Sequence, residues 1–129
     1  SAEFDNFRKR TLKEKMELIE SAGEDVIKGI LTIVDDFDRA ITANEQVEDA
    51  AVIREGTAII RQKLLDLLRQ RGVKEIDAIG QELDTDLHEA IAKIPVEEEE
   101  KKGKIVDQIQ KGYKLKDKVI RYSKVVVGE

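Results

Sequence analysis

The feature that most limits what this chain can become is its opening stretch. From Ala2 to about Ile41 there is no proline, and the apolar residues recur with a period of eleven. Positions 4, 7 and 11, then 15, 18 and 22, then 26, 29 and 33, then 37, 40 and 44 make the repeat, and they hold Phe4, Phe7, Leu18, Ala22, Val26, Ile33, Phe37 and Ala40. A seven-residue repeat begun at Phe4 would put Glu14, Ser21, Asp25, Lys28, Asp35 and Arg39 in the seam, so the longer period is the one that describes the chain. Such a period, about 3.67 residues per turn, keeps paired helices nearly straight or slightly right-handed. At 1.5 Å per residue the helix would extend roughly 60 Å, whereas a globule of this chain length has a radius of gyration of about 14 Å. The rod must project from its own globule. Its thin stripe through Phe4, Phe7 and Leu18 then needs a partner, and a second copy of the chain is the simplest one.

Beyond Val26 the stripe widens to take in Ile27, Ile30, Leu31, Val34 and Ile41, which predicts a stalk passing into a thicker bundle. A polar break near Thr42 to Gln46 precedes a second amphipathic stretch, Ala50 to Arg71, with Ile53, Thr57, Ile60, Leu64, Leu67 and Leu68 at spacings of three and four. Gly72 follows the basic turn Arg69-Gln70-Arg71 and ends the helix as a C′ glycine. One hairpin of this kind covers little of its own apolar surface, so two chains are expected to combine theirs into a four-helix bundle. The expected dimer interface takes Phe4, Phe7, Leu18, Ala22, Val26, Ile33 and Phe37 from the long helix, and Ile60 and Leu64 from the second.

After Gly72 the pattern changes. "GVKEI" and "GQELDTDLHEA" read as connecting segments, the latter with Asp84 or Thr85 as N-cap of one helical turn. Short β-branched runs follow at Ala90 to Val96, Lys104 to Gln110, Tyr113 to Leu115, Lys118 to Arg121 and Lys124 to Val127. Pro95, the only proline, belongs on an edge or at a strand end. The acidic run Glu97 to Glu100 with Gly103 makes a solvated turn. The expected fold class is α+β: a long dimerisation helix over residues 1–42, a second bundle helix over 43–72, and a small antiparallel β-domain over 73–129. Composition agrees, since 40% of residues are charged and 4% aromatic, a balance that suits solvated helices better than a thick core. The last element poses a question of charge. "GYKLKDKVIRYSKVVV" sets Lys114, Lys116, Lys118, Arg121 and Lys124 against one acid, Asp117, in a chain of net charge -5.

Five stretches, in order and nearly end to end, resemble the GrpE family, the nucleotide exchange factors of DnaK-type heat-shock chaperones. "AEFDNFRKRT" (2–11) is similar to the start of that family's long helix and "VDDFDRAI" (34–41) to its end. "EGTAIIRQKLLDLLRQRGVKEI" (55–76) resembles the second bundle helix and its exit, while "LDTDLHEAI" (83–91) and "QKGYKLKDKVIRYSKVVV" (110–127) resemble two motifs of the β-domain. The chain departs from the family at Thr85, where proline is usual, and at Arg121-Tyr122-Ser123, where Arg-Pro-Ala is usual. Because the sequence begins within a helical pattern, "SAEFDNF", it is expected to belong to a longer protein.

The resemblance implies a mechanical function: a homodimer that grips the nucleotide-binding domain of a DnaK-type chaperone and favours its open cleft, so that ADP leaves. It implies that the cationic β-element lies in a wing placed against the chaperone, where basic side chains steer and apolar neighbours anchor. By family position the wing contacts are Ile109, Lys118 and Val127. Arg8 matches a basic contact of the long helix and Gly56 a glycine near the exchange interface; the family's second basic position on that helix falls on or near the acid Glu17.

Other readings give weaker accounts. Lysines on an edge strand also discourage unwanted pairing. Nucleic-acid binding is disfavoured, because the basic "RKRTLKEK" (8–15) is followed closely by Glu17, Glu20, Glu24 and Asp25 and no aromatic platform is present. No catalytic residue, metal site or cofactor is expected: cysteine is absent, no glycine-rich phosphate loop occurs, and the lone His88 beside Asp84, Asp86 and Glu89 reads as a capping or packing residue. The same lack of cysteine fits a cytoplasmic setting, and no apolar run is long enough to span a membrane. A dimeric coiled-coil scaffold is the alternative function. Gly23 and Gly29 each cost the long helix up to about 1 kcal/mol relative to alanine, so the stalk is expected to loosen first on heating, as the thermosensing suggested for the family implies. Calorimetry on the Gly23→Ala, Gly29→Ala variant should show a later first transition, and an unmoved one counts against this.

Overall fold

Helix α1 runs unbroken over Ala2–Asn44 in a computed structural model that describes residues 1–129. Ser1 caps it, its Oγ accepting from the Phe4 N–H at 3.3 Å, and Glu3 and Asp5 in the first turn complement the helix dipole. The helix continues past the polar break expected at Thr42, because Thr42, Ala43 and Asn44 are compatible with helix and the chain turns only where the Val47 N–H reaches the Asn44 carbonyl at 3.1 Å. Helix α2 spans Ala50–Gln70. Asp49 opens it by accepting from the Ala51 N–H at 2.9 Å. Its end tightens through bonds from Arg71 N–H to Leu68 C=O and from Gly72 N–H to Arg69 C=O, both 3.0 Å, and Gly72 at φ +86° turns the chain away.

Two compact units divide the chain, residues 1–64 and 65–129. In the first, α2 folds back along α1, and Asp36 is held between them by Arg39 of its own helix and by Lys63 Nζ at 3.3 Å. The covered line on α1 passes through Gly29, Ile33, Asp36, Ala40 and Asn44, at spacings of three and four. A second apolar line, Val26, Ile30, Val34, Phe37 and Ile41, stays exposed.

In the second unit six strands form two three-stranded sheets: β1 (Val73–Glu75), β4 (Tyr113–Leu115) and β5 (Lys118–Arg121) in the order β1-β4-β5, and β2 (His88–Ile94), β3 (Ile105–Gln110) and β6 (Ser123–Gly128) in the order β2-β6-β3. All pairs are antiparallel but one: β2 lies parallel to β6, with His88 opposite Ser123 and Ala90 opposite Val125. The long excursion through β3, β4 and β5 supplies the crossover that a parallel pair needs. Strand β1 was expected to be connecting chain. It is only three residues long and becomes a strand because Gly72 delivers Val73 opposite Leu115 of β4.

The chain passes between the sheets three times, through residues 76–87 after β1, through Lys111 and Gly112 after β3 and through Tyr122 after β5. Ala78, Ile105, Val125 and Val127 form the core, with Leu83 packed against it. The segment carrying Ala78 is tied across it by Gly80 N–H to Ile105 C=O at 2.8 Å and Ile105 N–H to Gln81 C=O at 2.9 Å. The helical turn expected at Asp84 is a single turn, closed by Leu87 and His88 N–H groups on the Asp84 carbonyl at 2.9 and 2.8 Å. Pro95 directly follows β2, and the acidic run forms one 3-10 turn at Glu99–Lys101.

Candidate interaction surface

Three exposed isoleucines in the second unit share one setting. Ile91, Ile109 and Ile120 each fall where the strand register slips: between Ala90 and Ala92 on β2, between Gln108 and Gln110 on β3, and between Val119 and Arg121 on β5. A bulged residue has no partner opposite it, and the local twist re-aims its side chain. They stand 47%, 61% and 50% exposed. Of the three, family position singles out Ile109 alone as a contact.

The cations of the hairpin are not equivalent. Lys118, opposite Leu115, is exposed and has no ion-pair partner. Arg121 is occupied within its own unit, its Nε donating to the Lys111 carbonyl at 3.0 Å and its guanidinium lying 5.1 Å from the Tyr113 ring centre. Lys124 stands opposite Glu89. Lys114 faces another lysine, Lys74 of β1, although like charges directly opposite destabilise a sheet. Lys74 lies on β1, which the pattern of "GVKEI" does not mark as a strand.

Val127 lies in the core at 5% exposure. Of the three residues that the resemblance names as wing contacts, it alone offers no side-chain surface. Gly56 is half-buried in α2, and a Cβ built on it would meet nothing within 4 Å, so no packing within the chain requires a glycine there. Arg8 is exposed on α1, its guanidinium 5.8 Å from the Phe4 ring centre. Phe4, Phe7, Leu18, Ala22, Val26 and Phe37 are exposed, Leu64 is half-buried, and Ile33 and Ile60 are already covered within one chain, at 7% and 6% exposure.

His88 is buried, and its Nδ1 accepts from the Asp84 N–H at 3.0 Å, which commits the imidazole to closing its own turn. No three His, Cys, Asp or Glu side chains converge as metal ligands would. No helix is long and apolar enough to cross a membrane.

Comparison with known proteins agrees with this geometry. The family described as GrpE matches residues 1–129. Proteins named "Protein GrpE" from Bacteroides thetaiotaomicron and Bacteroides fragilis are 56% and 57% identical over 129 residues, all of this chain and 67% and 66% of theirs. One from Brachyspira hyodysenteriae is 39% identical, over 99% of this chain and 64% of its own. The chain thus spans about two thirds of the length of these relatives. A match along the whole chain, with the long helix, the second helix and the small β-bearing unit all in place, means that the chain belongs to the GrpE family.

Proposed function

We propose that this chain acts as a homodimeric nucleotide exchange factor, a cytoplasmic co-chaperone of the stress response that binds the nucleotide-binding domain of a DnaK-type chaperone and promotes ADP release by stabilising the open cleft. The observation that carries the reading is the surface of the second unit, where the exposed isoleucines stand on bulges and Lys118 is left unpaired. Apolar side chains of this kind supply desolvation at a docking site, and cations on its rim steer the approach to an acidic partner. Ile109 and Lys118 are the wing contacts in this reading, Val127 holds the strand from behind, and Arg8 and Gly56 make contact from the helices. No covalent step on the nucleotide is involved. The factor acts through its preference for the open state over the closed one. By linkage, ADP weakens its binding by the same factor as it weakens ADP, and a thousandfold effect needs about 4 kcal/mol of differential contact.

The test is a DnaK-type chaperone preloaded with fluorescent ADP. Addition of the chain should accelerate release, and unchanged release would favour the alternative, a dimeric scaffold. Gly56→Ala sharpens the test, because a mid-helix glycine costs about 1 kcal/mol relative to alanine and the structure offers open space for the methyl group. The variant should melt later, yet promote ADP release roughly tenfold less well if a partner's backbone approaches at that point, a loss of about 1.4 kcal/mol of contact. A more stable and fully active variant would take Gly56 out of the interface.

A further inference from the structure

Lys116 is placed unlike the other hairpin cations. It opens the turn between β4 and β5 at φ 53°, and it is the only non-glycine residue of the chain with positive φ. A lysine there is unfavourable and persists only where its surroundings hold it. The holding partner is Gly72, whose carbonyl accepts the Lys116 N–H at 2.8 Å. The lysine stem also lies over that glycine: a Cβ built on Gly72 would be 3.2 Å from Lys116 Cγ and 3.8 Å from its Cε. Gly72 is itself left-handed, at φ +86°, and is the residue where α2 stops. Directly after it Val73 pairs with Leu115. Two left-handed residues from distant parts of the sequence are therefore locked together where the helix ends and the hairpin turns.

We propose that Lys116 is a positioning residue: with Gly72 it clasps the β4–β5 hairpin to the end of α2 and holds that hairpin, with Lys118 on it, in its docking conformation, and it is not itself a docking cation. The three-residue strand β1 joins that helix end directly to the sheet. The consequence for exchange rests on the proposed function; the clasp can be measured without it.

Three variants of the full chain separate the possibilities. Lys116→Met keeps the stem and the amide and removes the charge, so association with the chaperone nucleotide-binding domain and its salt dependence should match the unsubstituted chain. Lys118→Met should slow association several-fold and flatten the salt dependence, as loss of a rim charge does. Gly72→Ala forces a Cβ against the lysine stem in a backbone conformation that alanine resists. The amide of Lys116 should then exchange with deuterium at least tenfold faster while those of Val125 and Val127 keep their protection, and ADP release should slow at unchanged dimer mass. Should Gly72→Ala fail to fold, Lys116→Asn keeps the left-handed backbone, shortens the stem and should give the same faster exchange at position 116. Lys116→Met behaving like Lys118→Met would overturn the proposal, as would a Gly72→Ala or Lys116→Asn chain with Lys116-site protection intact. If the unsubstituted chain engages no chaperone, the functional reading fails and the exchange data alone still decide the clasp.

Discussion

A Gly128→Ala chain is expected to lose the ordered strands of residues 65–129 while keeping most of its helical circular dichroism. The reason is space. A Cβ on Gly128 would sit 2.3 Å from the Lys101 carbonyl oxygen and 3.1 Å from Val96 Cγ2. The first of these is backbone and cannot rotate away. It belongs to a turn closed on all sides: Lys104 N–H donates to Lys101 C=O at 3.1 Å, Gly103 N–H to Gly128 C=O at 2.8 Å and Gly128 N–H to Lys104 C=O at 2.8 Å. To admit one methyl group, either that turn or the end of the central strand β6 must move, and β6 carries Val125 and Val127 of the core. Overpacking costs about 1–3 kcal/mol, and each buried backbone bond lost adds about 1 kcal/mol. A total of roughly 3–5 kcal/mol is a large fraction of the 5–15 kcal/mol that holds an ordinary domain. Amide exchange along β6 should rise a hundredfold or more, and protection equal to that of the parent chain would refute the account. Gly23→Ala, where an added Cβ meets nothing within 4 Å, is the matched control.

The contrast between those two glycines shows where sequence reading stops. Periodicity made the helices legible, because a stripe repeating over many turns averages out local exceptions, and Gly72 marked the end of α2 through the one residue type that turns left there freely. The strands were legible as β-branched runs, but their arrangement was not. Nothing local to "HEAIAKI" says that it will lie parallel to β6, and three residues at Val73–Glu75 carry too little pattern to mark a strand. Bulges were invisible for the same reason: they are a mismatch between two strands, so the placing of Ile91 and Ile120 at register slips shows only once the pairing is known. Val127 shows the reverse case. Family position marks it as part of the wing, and only the packing shows that its side chain faces the core. Ile33 and Ile60 likewise belonged to an interface by periodicity and are already covered within one hairpin.

That hairpin leads to the largest effect expected of any single substitution. Only Ile33 and Ile60 are buried among the helical residues, while Val26, Ile30, Val34, Phe37 and Ile41 line an exposed stripe beside the covered line, and Phe4, Phe7 and Leu18 stand exposed nearer the N-terminus. Helix formation gains little by itself, since isolated helices are marginal in water and depend on burying an apolar face. Two copies packed stripe against stripe would supply that burial, so the helices should melt at a temperature that rises with protein concentration. Ile30→Asp puts a carboxylate at the middle of the stripe in both copies. Each loses about 1.5–3 kcal/mol of apolar burial and adds a comparable charge-desolvation penalty, so a dimer carrying two should be weaker by at least about 6 kcal/mol, or on the order of ten-thousandfold. Light scattering at micromolar concentration should give twice the chain mass for the parent and a single chain mass, with much of the helical signal gone, for the variant. A parent chain that weighs as one copy and yet keeps its full helicity on dilution would show that the stripe needs no partner, and the homodimer would have to be abandoned.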